Sequence, residues 1–314
     1  MVIKEDVLNQ LVKTYATPFL SFEAIKSYLE EVIVHSTLGE EFLSEFSELN
    51  DGATMQARHQ YFEVPDSTPE HYKESIFYFD GKPLVAGIRH LGANKELPFV
   101  KLTPGFRISG SIALREVYKS IENEFKVFNP QWISLVSDKL FEKSSSCRIG
   151  HVTMVNRAET IMAMAPWSLE KQLFFEEPEE DFYRSYCEDY WAFHQNAPEL
   201  KDKVTILEED DFSSSLSLGL TKEIYLGGER VGLVSAERNP FLGHDGLYFI
   251  DLVLSEKWKG RGLAKAIQRR FISDECQGDE FVWGTIDNDN VPSYKTAVKN
   301  LRSPLAYEYF VKAN

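Results

Sequence analysis

The pattern of apolar and polar positions along the chain occurs twice. Residues 76–87 consist of two apolar runs separated by Asp-Gly, and residues 223–234 follow the same pattern around Gly-Gly. Such dipeptides between apolar runs are typical of tight β-hairpins. Each pattern therefore predicts a strand, a two-residue turn and a second strand.

Similar elements flank the two predicted hairpins. Helical spacing precedes them over residues 22–46 and 180–194, and a strand, a glycine-containing loop, an amphipathic helix and a last strand follow them. The last strands lie at 132–136 and 281–286. The apolar positions of the amphipathic helices are Ala113, Val117, Ile121 and Phe125, then Leu263, Ile267 and Phe271.

This repeated order predicts an α+β fold (α/β with a mixed sheet), arranged as two tandem domains. We place the domains at residues 1–165 and 166–314, because Ala-Pro-Trp-Ser and a run of glutamates interrupt the pattern between 165 and 180. Many mixed α/β domains share such an order, so coincidence is the alternative to duplication.

Composition is that of a soluble folded protein, with 43% hydrophobic and 26% charged residues. No apolar run approaches the ~20 residues of a membrane helix, and the N-terminus lacks the features of a signal peptide. Three scattered cysteines fit a reducing cytoplasm rather than a disulfide framework or zinc site. The net charge of −15 argues against a stable nucleic-acid partner. We expect a cytoplasmic protein with neither a membrane nor a nucleic-acid partner; its oligomeric state stays open.

One loop in the second half carries candidate chemistry. A predicted strand over 247–254 leads into a segment with two glycines, and a helix is predicted from Leu263. Free N–H groups at a helix start, approached through glycines, suit a pyrophosphate. A nucleotide P-loop would need Lys-Ser/Thr after the last glycine, and a dinucleotide fingerprint would need a third glycine. A plain glycine turn is the remaining alternative.

The residues of this loop resemble the Arg/Gln-x-x-Gly-x-Gly/Ala signature of the GCN5-related N-acetyltransferase family, with lysine in first place. They are Lys259, Gly260, Arg261, Gly262, Leu263 and Ala264. Downstream, residues 290–297 follow a strand and are similar to the family's Asn-x-x-Ala/Ser segment. The resemblance covers roughly residues 224–310.

The resemblance implies two adjacent parallel strands that splay apart to admit the pantetheine arm of acetyl-CoA, the acyl donor. The backbone of Leu252 and Leu254 would bind the arm and polarise the thioester carbonyl. The N–H groups around 261–264 would hold the pyrophosphate. Asn290 and Ser293 would line the arm, with helix N-capping as the alternative.

For catalysis, the resemblance implies direct attack of an amine on the thioester, with a base and an acid. Asp251, at a strand end where the family often has an acidic residue, is the candidate base; tying down a neighbouring backbone is its alternative role. The family's thiolate-protonating tyrosine is replaced by Ala297, which leaves Tyr294 as the nearest tyrosine. The histidines form no pair at metal spacing, and His244 is a weak further candidate.

The first half departs from the signature at its matching loop, residues 106–113. Arg107 and Gly110 match in one register, but Ile112 then stands at a small-residue position; in the other register Ser111 replaces the glycine. A degenerate first copy beside an intact second copy is similar to mycothiol synthase-type tandem acetyltransferases.

These observations predict an N-acetyltransferase acting on a small amine or an exposed amino group, without a metal. A non-catalytic acyl-CoA-binding or scaffold protein is the alternative, and an aminoacyl-transferring relative is a third. Acidic residues in and around the helical region ahead of the second hairpin suggest a cationic acceptor, with a solvated charged face as the alternative. They are Glu176, Glu177, Glu179, Glu180, Asp181, Glu188, Asp189 and residues 208–211.

Overall fold

A computed structural model describes residues 3–142, 144–201 and 204–313. The helices are α1 (Glu5–Leu20), α2 (Glu31–Leu49), α3 (Gly52–Phe62), α4 (Ser111–Lys119), α5 (Glu122–Phe125), α6 (Ala158–Met162), α7 (Phe182–Asn196), α8 (Ser213–Ser217), α9 (Leu263–Glu275) and α10 (Val291–Lys299). The strands are β1 (Ser75–Phe79), β2 (Lys82–His90), β3 (Pro98–Pro104), β4 (Trp132–Ser137), β5 (Cys147–Arg157), β6 (Leu173–Glu176), β7 (Thr221–Leu226), β8 (Glu229–Arg238), β9 (Gly246–Leu254), β10 (Phe281–Asp287) and β11 (Ser303–Lys312). No described helix has both the length and the apolarity needed to cross a membrane.

The described residues form two compact units. The first unit comprises residues up to 152 together with residues from 305 onward, and the second comprises residues 153–304. This division lies before the 165/166 boundary expected from the sequence, and it gives most of β11 to the first unit. Tandem domains at 1–165 and 166–314 stay a prediction.

In the first unit the strand order is β1, β2, β3, β4, β11. Asp80 and Gly81 connect β1 to β2 with φ angles of 48° and 73°. β2 and β3 are antiparallel, β3 and β4 are parallel over three residue pairs, and β4 and β11 are antiparallel. A core of apolar side chains from these strands and from α4, such as Leu114 and Val117, covers one face.

In the second unit the order is β5, β10, β9, β8, β7, β6. Gly227 and Gly228 connect β7 to β8 with φ angles of 63° and 83°. β7, β8 and β9 are antiparallel neighbours, and β9 and β10 are parallel. The buried side chains of Leu263, Ile267 and Phe271 fix α9 against this sheet.

The predicted mixed α/β fold class is confirmed, since both units combine helices with parallel and antiparallel strands. Both hairpins, the strands predicted at 132–136, 247–254 and 281–286, and the helix predicted at 180–194 are present. Each unit contains a hairpin, a third antiparallel strand and then a parallel one, in that order.

Two predicted helices are interrupted. The segment 22–46 is not one helix: α1 ends at Leu20, turns follow, and α2 begins at Glu31. The apolar row from Ala113 to Phe125 also breaks, because the N–H groups of Ser120 and Ile121 bond to carbonyls three residues back and tighten the helix end. The buried positions of the row were predicted correctly from Val117 onward, but helical continuity was not.

Three strands, β5, β6 and β11, were not predicted from the sequence. β5 is polar at many positions, and β6 has four residues, so neither carries a long alternating signal. β11 begins at Ser303, and its residues 307–312 pair with β4 in the first unit. Local periodicity does not identify a partner so distant along the chain.

A fragment of residues 166–314 would contain β11 without β4 and would lack the start of the second unit. Its unpaired β11 backbone groups would favour aggregation over folding. We expect low solubility and no cooperative thermal transition by circular dichroism. Residues 153–304, which match the compact unit, form the control and should be more soluble. A sharp transition of the 166–314 fragment at the full-length melting temperature would contradict this expectation.

Candidate functional site

β9 and β10 pair only at their beginnings. The parallel register runs from Gly246↔Phe281 to Tyr248↔Trp283, so residues 249–254 and 284–287 are not paired with each other. A register shift against β8 leaves Ile250 as an extra residue of β9. Such a bulge increases strand twist and turns the end of β9 away from its neighbour. We call the space between these unpaired ends the strand gap.

The backbone of β9 presents alternate residues to the strand gap. Ser255 N–H donates to Val231 O at 2.9 Å. Because hydrogen-bonded and non-bonded pairs alternate in an antiparallel ladder, the polar groups of Leu252 and Leu254 point away from β8 and toward β10. This is the side from which an extended arm could pair with β9.

One of these groups is already engaged. Leu252 N–H donates to Asp251 Oδ1 at 2.7 Å. The Asp251 carboxylate therefore does tie down a neighbouring backbone group, which was its alternative role. A donor thioester using the Leu252 N–H would have to share it with Asp251.

The loop after β9 has the backbone conformation expected of a loop that binds an anion through its N–H groups. We call residues 259–264 the cradle. Gly260 and Gly262 have φ angles of 73° and 74°, a region that favours glycine. No side chain caps α9, and within residues 204–313 the N–H groups of Gly260, Arg261 and Gly262 donate to no protein acceptor. These groups lie at the positive end of the α9 dipole.

The two predicted cations of the loop contact neighbouring side chains. Lys259 Nζ pairs with Glu256 and lies 4.3 Å from the centre of the Phe193 ring. Arg261 lies over the ring of Trp258, at 4.9 Å from its centre. Trp258 is itself anchored, since its indole N–H donates to Arg230 O at 3.1 Å.

A further cation near the loop, Lys265, was not predicted from the sequence. Its Nζ would lie 3.9 Å from a Cβ added at Gly262. The ammonium is held 3.8 Å from the centre of the Trp167 ring. Its position one turn into α9 was the available signal, because an i+3 residue faces back over a helix start.

Asp251 accepts hydrogen bonds from two tyrosines of α7, and these contacts were not predicted from the sequence. Tyr186 and Tyr190 donate their hydroxyls to Asp251 Oδ2 at 2.8 and 2.7 Å. Burial raises the pKa of Asp251, while the two phenol hydrogen bonds and the Leu252 N–H oppose that rise. Burial first, and Asp251 second, raise the pKa of both phenols, which stay protonated donors. Tyrosines four apart on the helix ahead of the hairpin were the only sequence signal.

Asn290 and Ser293 meet as a helix cap. Asn290 Oδ1 accepts the Ser293 N–H at 3.2 Å and closes the first turn of α10. Tyr294 lies half-buried in that helix, and Ala297 is fully buried. N-capping, the alternative role, is thus present; lining of a donor arm by Asn290 and Ser293 stays a prediction, as does a role for Tyr294.

His244 does not join the site. It lies before the start of β9, where its Nδ1 is 3.1 Å from Leu242 O. The length of β9, roughly 27 Å from Gly246 to Leu254, separates it from the loop. Among the described residues, no group of three His, Cys, Asp or Glu is placed to hold a metal ion.

The corresponding loop of the first unit is built differently. β3 ends at Pro104, which has no N–H to offer. Arg107 is directed to Asp138, at 3.3 Å. Ile112 stands 69% exposed in the first turn of α4, where a bound anion would need open space.

No protein-family model matches this chain, and no curated protein matches it. Solved structures with a similar fold include an acetyltransferase of the GNAT family from Colwellia psychrerythraea, with 8% identity, coverage of 82% of this chain and 94% of that one, and a TM-score of 0.49. A GCN5-related N-acetyltransferase from Sphaerobacter thermophilus has 11% identity, coverage of 83% and 90%, and a TM-score of 0.42. A functionally unknown conserved protein from Staphylococcus epidermidis has 12% identity, coverage of 79% and 98%, and a TM-score of 0.43.

Replacing Tyr190 by phenylalanine should raise the pKa of Asp251 further. The hydroxyl stabilises the ionised carboxylate, so its loss favours the protonated form. Titration of the Asp251 carboxyl carbon by NMR measures the shift. Tyr183→Phe is the matched control on the same helix, because the Tyr183 hydroxyl donates to Leu207 O instead. An unchanged or lowered pKa in Tyr190→Phe would show that the hydrogen bond does not act on the carboxylate.

Proposed function

We propose that the second unit transfers an acyl group from acyl-CoA, with acetyl-CoA as the simplest donor, to an amine. The observation that carries this proposal is the strand gap between β9 and β10, with the glycine loop at its open end. An extended arm with a pyrophosphate at one end fits this combination of an unpaired strand and free N–H groups.

The donor would be bound mainly by backbone. The N–H groups at 260–264 and the Lys265 ammonium would hold the pyrophosphate. The polar groups of Leu252 and Leu254 would pair with the arm along β9, and Asn290 and Ser293 would border it from α10. Glycine at 262 leaves the space beside Lys265 open, since an added Cβ there would lie 3.4 Å from Lys265 Cε.

Asp251 is our candidate base. The amine nitrogen would attack the thioester carbonyl carbon, the C–S bond would break, and the amine proton would pass to Asp251 while CoA leaves as the thiolate. A carboxylate whose pKa is raised by burial is a better proton acceptor than an exposed one. Tyr186 and Tyr190 would hold its orientation, and Tyr294 is the candidate acid for the thiolate.

A non-catalytic acyl-CoA-binding protein is the second candidate function, because Ala297 offers no proton where a tyrosine is expected. An aminoacyl-transferring relative is disfavoured by the net charge of −15, which would repel a nucleic-acid carrier. A panel of amines incubated with acetyl-CoA, with release of free thiol as the readout, distinguishes catalysis from binding.

The proposed acceptor is a cationic amine. Of the acidic residues ahead of the second hairpin, Asp189 is buried against Arg230 at 2.6 Å, and Glu177 and Asp181 pair with Lys222 and Arg184. The rest stand exposed on the surface: Glu176, Glu179, Glu180, Glu188 and residues 208–211. Their combined field would attract cations at low ionic strength.

We expect the KM for a diamine to rise as ionic strength increases from about 0.05 to about 0.5 M, because salt screens exposed charges. The double variant Glu179→Gln/Glu180→Gln should raise KM at low salt. Glu116→Gln, on exposed α4 surface in the first unit, serves as the control. A preference for acidic amines, or no salt dependence, would count against a cationic acceptor.

The variant Gly262→Asp should weaken CoA binding by at least about tenfold, because it places a negative side chain at the pyrophosphate position. Isothermal calorimetry measures the effect. Gly262→Ala is the matched control, since at φ 74° it carries the same backbone strain, about 1–2 kcal/mol, without the charge. Equal CoA affinity of Gly262→Asp and wild type would place the pyrophosphate elsewhere.

We expect about one CoA per chain, because the first unit lacks a second cradle. Ile112 and the Arg107–Asp138 pair remove the space and the cation that the second unit offers. The stoichiometry of the same calorimetric titration tests this. A value near two, or CoA bound at residues 106–113 in a crystal, would refute the single site.

A further inference from the structure

Arg302 is a buried cation at the strand gap. It follows Leu301, whose left-handed φ of 60° turns the chain inward after α10. The residue is only 3% exposed. Its guanidinium carbon lies 5.1 Å from the centre of the Phe249 ring, on β9.

No carboxylate of the described chain compensates this charge. Arg302 Nη2 donates to the amide oxygen of Gln268 at 2.8 Å, and its Nε has no acceptor among residues 3–142, 144–201 and 204–313. Burial lowers the pKa of Arg302 to about 10, with no neighbouring charge to oppose it.

Other buried or half-buried arginines of the second unit lie near carboxylates. Buried Arg269 contacts Glu170 at 2.7 Å, and buried Arg157 lies 3.7 Å from Glu159. Half-buried Arg230 contacts both Asp189 and Glu223. A buried ion without a counter-charge is costly, and the cost falls when an anion binds. The missing counter-charge at Arg302 is therefore a reason to look for an anionic ligand.

The position of Arg302 selects which part of a ligand it meets. Phe249 and Gly284 form the first level beyond the last pair of β9 and β10, which is the closed end of the strand gap. Arg302 Nη1 lies 3.6 Å from a Cβ added at Gly284, so the glycine leaves space beside the guanidinium. The strand from Leu254 to Phe249 spans about 17 Å. An extended arm starting at the glycine loop would bring its acyl end to this level.

We propose that Arg302 binds a carboxylate at the closed end of the strand gap, and that this carboxylate belongs to the acyl group of the donor. The inference rests on the proposed acyl-CoA site and names its substrate class, a carboxyacyl-CoA such as succinyl-CoA. In the transfer, the C–S bond breaks and a C–N bond forms, while the distal carboxylate stays ionised and unchanged. The products are an N-carboxyacyl amine and the CoA thiol.

The test is calorimetry on the full chain with CoA, acetyl-CoA and succinyl-CoA at one ionic strength. Wild type should bind succinyl-CoA at least about tenfold more tightly than acetyl-CoA, as expected for a buried charge-assisted pair. Arg302→Met should abolish this preference and keep its affinity for CoA, and Arg302→Lys should retain part of it. Arg270→Met, on the exposed side of α9, is the control and should keep the preference.

Equal affinity of wild type for acetyl-CoA and succinyl-CoA would overturn the inference while leaving the proposed function intact. Absence of binding by all three CoA compounds would overturn the proposed function itself. If Arg302→Met does not fold, Gly284→Val retains the arginine and fills the space beside it, and should also lose the preference.

A carboxylate on the acceptor is the other source of the same chemistry. Glycine and methylamine are therefore titrated into protein saturated with acetyl-CoA. Tighter binding of glycine in wild type, lost in Arg302→Met, would support Arg302 as a carboxylate receptor but overturn its assignment to the acyl group.

Discussion

The second unit is organised around parallel strands that stop pairing. Each backbone N–H and C=O released from a ladder needs another partner, so an opened sheet is costly unless something else binds its edge. The bulge at Ile250 opens it, and the side chain of Asp251 satisfies one released group, the Leu252 N–H. The glycine loop, the two tyrosines of α7 and the buried guanidinium all lie around this opening. The proposed acyl-CoA arm is, in physical terms, the missing strand.

Polar groups near the opening are buried with unequal compensation. Asp251 has three hydrogen-bond donors around its carboxylate, and its pKa is nevertheless raised because burial outweighs them. Arg302 has an amide oxygen and an aromatic face but no anion. The Asp251 carboxylate can take up a proton, and the Arg302 guanidinium can bind an anion.

The features predicted correctly from the sequence depend on local backbone requirements. Asp-Gly, Gly-Gly and the glycines at 260 and 262 occur where the chain needs left-handed φ angles. Each was predicted from the sequence as a turn or loop position. Assignment of residues 259–264 to a pyrophosphate rests on the same signal and stays a prediction. Periodicity was less informative: it predicted which residues of 113–125 are buried but not that the helix breaks between them. The contacts of Asp251 and Arg302 could not be predicted, because Tyr190 and Gln268 lie tens of residues away and only the folded sheet brings them close.

The membership of β11 in the first unit has a consequence for biosynthesis. β4 ends at Ser137, and the strand that pairs with it begins only at Ser303. On a ribosome adding about 5–20 residues per second, those roughly 170 residues correspond to about ten to thirty seconds. During that interval β4 has an unsatisfied edge, open to mispairing with other nascent chains. Synthesis of the first unit begins before that of the second, but it ends only when β11 has been made. A chaperone that shields strand edges should therefore matter more for this protein than its modest size suggests.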